Sequence, residues 1–254
     1  MFVQYAVRSA VAAAAALMLA VPTAYAQPLP SAADVVAKHV AAVGGRDAIL
    51  KITSMKQTGA MEITAAGMTA DLELVMVAPN KQSMKMNLAG LGEILTGTDG
   101  TVAWSVNPMQ GARLLEGKEL SQVKEQADFA AGMLFAPDRF SSMTNEGVVD
   151  FAGEKAYKIK MVRKESGNEM WSYFSVASGL QIGSEATVVS EMGSMTSSST
   201  IGDYKQFGPL KMATRTEMSA GPQKMVLTVK SAEFNTAGPD AVAIPAAVQP
   251  LIKK

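Results

Sequence analysis

Residues 68–106, MTADLELVMVAPNKQSMKMNLAGLGEILTGTDGTVAWSV, alternate between apolar and polar positions, turn, and alternate again. In the first run Leu72, Leu74 and Met76 fall on one side, with Asp71 and Glu73 on the other. After the turn Ala78-Pro79-Asn80, Met84, Met86 and Leu88 share a side opposite Lys81, Ser83, Lys85 and Asn87. A period of two is the pattern of a strand with one dry and one wet face. Asp99-Gly100 lies between two further strand-like runs and marks a hairpin, because Gly accepts positive φ. Gly90 and Gly92 interrupt the pattern near Leu91 and predict a bulge or bend. The stretch therefore predicts an antiparallel meander with one apolar face, and what that face covers is the functional question.

The same pattern continues outward. Residues 52–64 predict a strand upstream. Downstream, strands are predicted at 148–151, 155–162, 169–176, 180–189, 197–207, 210–218 and 223–234. Turn residues such as Ser166-Gly167-Asn168, Ser178-Gly179, Gly193 and Gly208-Pro209 fall within or between these runs. Two stretches differ. Ser31, with Asp34 three positions on, resembles a capping box and opens a helix over 32–43 that Gly44-Gly45 stops, with a short helical turn at 46–50. Residues 118–133 carry apolar groups at helical spacing, with Ser121 as a candidate cap and Pro137 beyond the end. The count is ten or eleven short strands with two or three helices. The fold class is thus mainly β, an antiparallel curved sheet or barrel with two or three helices; the resemblance described below implies its half-open, unclosed form, with helices over or inside the concave face. No fixed-period repeat or low-complexity linker divides the chain.

The first 26 residues, MFVQYAVRSAVAAAAALMLAVPTAYA, have the form of an export signal, with Arg8, an apolar run and Ala24-Tyr25-Ala26 as the cleavage motif. The apolar run is short for a membrane span, though an uncleaved anchor is the alternative. Cleavage after Ala26 leaves a single domain over 27–254 of the 254-residue chain and places the protein in the periplasm. The loss of one arginine from 23 basic and 23 acidic residues leaves a balance of −1, which makes no electrostatic case for nucleic acid. The chain has no cysteine, so it has neither disulfides nor thiolate metal sites. Its 18 methionines either fill an ordinary core or line a surface that accepts varied apolar shapes.

Several pieces resemble, in order and spacing, the outer-membrane lipoprotein-sorting superfamily, the LolA/LolB-like proteins. They are ADVVAKHVAAVGGRDAILKITSMKQTG at the start, then VAPNKQSMKM, GTDGTVAWSVNPMQG, AGEKAYKIKMVRKESGNEMWSYFSVASGL and IGDYKQFGPLKMATRTEM. The resemblance spans nearly all of the chain after the signal. It implies a half-barrel whose hydrophobic concave face, partly filled by helices, takes lipid or lipoprotein acyl chains. In the sorting chaperone an arginine inside the cavity governs opening. Arg113, Arg139, Arg163 and Arg215 are available here, and none falls in a matching motif.

No catalytic set appears. There is no nucleophile elbow, no phosphate-cradling glycine loop and no histidine pair, and the single histidine, His39, reads as a packing or surface residue. No catalytic residue, metal site or cofactor is expected. The expected function is that of a periplasmic carrier or chaperone in envelope lipid or lipoprotein transport. Its cavity candidates are Leu72, Leu74, Met76, Met84, Met86, Leu88, Met212, Met225 and Leu227. Residues Leu120, Val123, Phe129 and Met133 mark a lid or plug helix, with a plain crossover outside the sheet as the alternative. The partners would be an acyl chain and inner- or outer-membrane envelope proteins, and the carrier would be a monomer. The alternative is a non-catalytic periplasmic interaction or scaffold module whose cavity is filled by its own side chains.

Overall fold

The computed structural model describes residues 28–190, 193–221 and 223–252; the expected signal at 1–26 lies outside them. Ser31 closes the capping box with Asp34, its hydroxyl accepting from the Asp34 N–H, and opens α1 (Ala32–Ala42). After Gly44-Gly45 the chain forms α2 (Arg46–Leu50) and then β1 (Ser54–Ile63). A meander runs away from β1 through β2 (Met68–Val77), β3 (Lys81–Leu88), β4 (Gly92–Thr98), β5 (Ala103–Asn107) and β6 (Gly111–Leu115). Helices α3 (Gly117–Ala127) and α4 (Phe129–Met133) follow. A second meander returns through β7 (Phe140–Phe151), β8 (Glu154–Arg163), β9 (Glu169–Ser175), β10 (Gln181–Ser190), β11 (Gly193–Phe207), β12 (Leu210–Ala220) and β13 (Gln223–Phe234). Because β13 pairs with β1, the two meanders form one antiparallel sheet of 13 strands, with β6 and β7 at its edges.

The sheet is not closed. Its edges are joined in sequence by α3 and α4, so these helices form the connection from one rim of the half-barrel to the other. Where α3 lies is fixed by its apolar side: Val123 packs with Ala103 and Leu115, and Leu120 flanks them. Phe129 and Leu134 join α2 and the sheet in a second cluster with Ile49, Met55, Met76 and Leu210. A third cluster sets Val35 and Val36 of α1 on Ile159, Met161 and Phe174 of β8 and β9. All four helices therefore sit on one face, the inner one.

The other face is partly closed by the C-terminal tail, where Val242 and Val248 cover Val75, Val77 and Trp104. Trp104 is fully buried and lies on Gly97 of the neighbouring strand. A Cβ at Gly97 would meet the Trp104 ring at 2.8 Å and the Gln82 carbonyl oxygen at 2.5 Å, so only glycine leaves room for the indole. The Asp99-Gly100 turn forms as expected: Asp99 Oδ1 accepts from the N–H groups of Thr101 and Val102, and Gly100 has φ +92°.

Five expectations need correction. The glycines at 90 and 92, expected to mark a bulge or bend, make a full reversal between β3 and β4, both with positive φ. The single helix expected over 118–133 is two, broken at Asp128, whose carboxylate caps α4 by accepting from the Ala131 N–H. Ser121 lies inside α3 and donates to the Gly117 carbonyl, while Glu116 holds the N-cap position without a side-chain bond. Strand β7 has 12 residues where only 148–151 was expected, and Gly193 begins β11. The hidden part of β7, FSSMTNEG, alternates between half-buried and exposed positions with few large apolar groups, and a bulge between Asn145 and Val148 shifts its register.

Candidate functional site

Ladder register arranges the inner face into rows across the strands. The row nearest the helices runs Phe234, Met55, Met76, Gln82, Thr98, Ala103, Leu115. Six of its seven members are buried, Met55 at 4% exposure and Met76 at 7%, under α2, α3 and α4. The next row, Gln57, Leu74, Met84, Thr96, Ser105, is half-buried. Beyond it come Val229, Gly59, Leu72, Met86, Ile94, then Thr216, Leu227, Met61, Ala70, Leu88, and last Met218, Met225, Ile63, Met68. Every large side chain in these outer rows is half-buried except Leu88, which is buried. The inner face is thus a largely apolar floor, sealed at the helical end and half-buried away from it. Across β12, β13, β1, β2, β3 and β4, at about 4.8 Å per strand spacing, the open part is roughly 24 Å wide.

The opposite side of the same strands is wet. Lys56–Glu73, Lys85–Glu93, Arg215–Glu217 and Lys230–Asp71 pair there at 2.7 to 3.4 Å, all well exposed. Exposed pairs contribute little stability, but they do mark which face meets bulk water.

All nine sequence-derived candidates, Leu72, Leu74, Met76, Met84, Met86, Leu88, Met212, Met225 and Leu227, lie on the inner face. They do not share one environment. Met76 is sealed in the helix-covered core, Leu74 and Met212 pack at its margin, and Leu88 is buried. Leu72, Met84, Met86, Met225 and Leu227 belong to the open floor. Met61, Ile63, Met68, Ile94, Met218 and Val229 also belong to that floor and were missed. For Met68 the period-two spacing with Leu72, Leu74 and Met76 was a usable signal. Of the lid residues, Val123 and Phe129 are buried, and Leu120 and Met133 pack beside them.

Arg139, whose side chain is 15% exposed, fastens α3 at its C-terminal end. It donates to the Glu125 carbonyl at 2.8 Å and contacts the Glu125 carboxylate at 3.1 Å; the Asp128 carbonyl lies 3.5 Å away. Arg163 from β8 pairs with the same carboxylate. Burial pushes the Arg163 pKa down, Glu125 opposes that, and the neighbouring Arg139 adds to it. Cations at a helix C-terminus also answer the exposed carbonyls there. A polar cleft of about 720 Å³ opens beside this cluster, lined by Asn80, Ser121, Lys124, Asp138 and Lys164 among others. Arg139→Met is expected to loosen α3 from the sheet without unfolding it. Amide hydrogen exchange should quicken across 117–127 by about tenfold, a loss of roughly 1.4 kcal/mol of local stability, while the β-strand amides stay protected.

His39 is buried at 6% exposure between Phe135 and Phe174. Its Nδ1 accepts from the Gln181 N–H at 3.2 Å, and the Gly179 carbonyl oxygen lies 3.3 Å away. Burial pushes its pKa down to about 4, while the Gly179 carbonyl, which can take a bond from a protonated ring, works the other way. It is a packing residue that the fold holds neutral. Because the folded pKa lies below the ordinary value of 6.5, the unfolded chain takes up the proton first. Stability is complete above pH 6.5, falls as pH drops toward 4, and loses nothing further from this group below that. The expected loss is about 3 kcal/mol. Chemical denaturation of the protein and of His39→Leu between pH 7 and 4.5 should show a slope in the former that the latter lacks.

No family model and no curated protein sequence matches the chain. Its shape does match solved structures. A DUF1329 family protein from Desulfovibrio piger superposes with a TM-score of 0.58 at 9% identity, over 83% of this chain and 94% of that one. A LolA superfamily protein from Nitrosomonas europaea gives 0.59 at 10% identity, over 85% and 99%. An outer-membrane lipoprotein-sorting protein domain from Vibrio parahaemolyticus gives 0.53 at 11%, over 81% and 93%. The expected half-barrel is therefore the fold, and LolA-superfamily and lipoprotein-sorting proteins are its structural neighbours.

Proposed function

We propose that the protein is an exported, non-catalytic carrier that takes the hydrocarbon part of a lipid or lipoprotein acyl chain on the open floor of its inner face. One observation supports this above the rest: large apolar side chains stay half-buried, not sealed, in register over six strands, on the side the helices only partly cover. A contiguous apolar area that the fold leaves only half-covered suits the binding of an apolar guest. Burial of an acyl chain there contributes about 0.8 kcal/mol per methylene before ordering costs, so a long chain binds by hydrophobicity alone. Methionine suits such a surface because its flexible thioether follows varied shapes. Release requires a second apolar acceptor, which in the periplasm would be an envelope membrane or a protein partner. The neighbouring fold of the LolA superfamily protein and the lipoprotein-sorting domain agrees with this reading.

The test is purification without detergent, followed by lipid extraction and mass spectrometry, with titration of a dansyl-labelled fatty acid as the second measurement. Co-purified or exchangeable lipid is expected. Its repeated absence would favour the scaffold reading, which draws on the sealed row under α2 and α4, where the chain's own Ile49, Phe129 and Leu134 already occupy part of the concavity.

A further inference from the structure

We infer that the open floor is a site of reversible methionine sulfoxidation, and that oxidation there turns the apolar floor polar. Six methionines, Met61, Met68, Met84, Met86, Met218 and Met225, stand half-buried on the inner face of five adjacent strands, β12, β13, β1, β2 and β3. Register sets Met218 opposite Met225 and seats the others in the same apolar rows: Met225 opposite Ile63, Ile63 opposite Met68, Met61 opposite Leu227, Leu72 opposite Met86 and Leu74 opposite Met84. Three others serve as internal references because they are sealed, Met55 at 4%, Met76 at 7% and Met161 at 0% exposure. Met212 differs again, since the Gln57 amide points at its sulfur from 4.0 Å and at that of Met55 from 3.3 Å. Met109, 88% exposed in the β5–β6 turn, marks the fully accessible limit.

The chemistry follows from access. The oxidant is a peroxide. A thioether lone pair attacks one peroxide oxygen, the O–O bond breaks, and the departing hydroxide takes up the second proton as water. Sulfur is oxidised by two electrons to the sulfoxide and the peroxide is reduced. The chain has no cysteine to compete, so methionine carries its sulfur redox chemistry. A sulfoxide is a polar, strongly hydrogen-bond-accepting group, and several on one face would hydrate a surface whose affinity comes from excluding water. Sulfoxide reductases restore the thioether, which makes the change reversible. The site itself stands on exposure and register; its effect on binding rests on the lipid reading.

The experiment is graded hydrogen peroxide treatment of the purified protein, with peptide mass spectrometry at each methionine. The six floor methionines should oxidise at least fivefold faster than Met55, Met76 and Met161, and more slowly than Met109. Floor rates equal to those of the sealed three would overturn the inference. In parallel, the dansyl fatty acid is titrated before and after treatment, on the native protein and on a variant with the six replaced by leucine, a near volume-conserving change. Native affinity should fall at least tenfold on oxidation while the leucine variant keeps its own. Unchanged affinity of a fully oxidised floor would overturn the proposed effect. Untreated protein that takes up no probe would sink the lipid reading instead, and the oxidation ratio would still decide the modification site.

Discussion

Met86→Glu is expected to weaken binding of a dansyl-labelled fatty acid about 30-fold or more, while the protein still melts in one transition within a few degrees of the parent. Met86 sits at the centre of the open floor, between Leu72 of β2 and Ile94 of β4. A carboxylate there either stays ionised and holds water against the place an acyl chain would occupy, or takes a proton to avoid doing so. Either course costs about 2–3 kcal/mol of binding free energy, which sets the expected fold-change. The folded protein is affected far less, because Met86 is only half-buried and its new charge can reach solvent when no lipid is bound. Met76→Glu is the contrasting variant. Met76 lies at 7% exposure in the cluster with Ile49, Met55 and Leu210, so its replacement should destabilise the whole fold. Equal melting losses for the two variants would mean that the open floor is sealed in solution.

Trp104→Ala is expected to remove about 3–5 kcal/mol of stability, with a fall in Tm on the order of 10 °C. The indole is fully buried, fills the space that glycine leaves at position 97, and seats Val242 and Val248 of the tail against the outer face of β2 and β5. Its deletion opens a cavity and unseats the tail together, which is why the upper part of the large-to-small range applies. The ring nitrogen adds nothing to the expected loss: among the described residues, buried Trp104 Nε1 has no hydrogen-bond partner. Trp104→Phe should therefore cost much less than Trp104→Ala, since it keeps an aromatic ring over Gly97 and removes a donor that no described residue accepts from. Near-equal losses in the two variants would show that the indole nitrogen does have a partner.

The strands of the central meander were legible because their information is local. Period-two alternation in residues 68–88 separates the two faces before any partner strand is known, and the Asp99-Gly100 turn follows from one residue's access to positive φ. The start of α1 was equally plain, because Ser31 and Asp34 satisfy each other within one turn. What could not be read is what other parts of the chain decide. The row of Met55 and Met76 has the same alternation as the row of Leu72 and Met86, yet one is sealed and the other is not, and the difference is where α2, α3 and α4 come to rest. The break at Asp128 was masked by apolar spacing that runs through it. The Arg139–Glu125–Arg163 cluster joins residues 14 and 38 positions apart in a way that no spacing rule marks. Strand β7 was hidden because its first half is polar and an edge strand has one neighbour to satisfy.

The absence of a β6–β7 ladder has a bearing on cargo. In a ring of strands, strand number and stagger fix the bore, and nothing wider can enter without tearing backbone hydrogen bonds. Here the circle is completed by two helices in place of a ladder. A shift of that bridge would change the calibre with every strand pairing intact, so on the proposed carrier reading one molecule would accept guests of unequal girth.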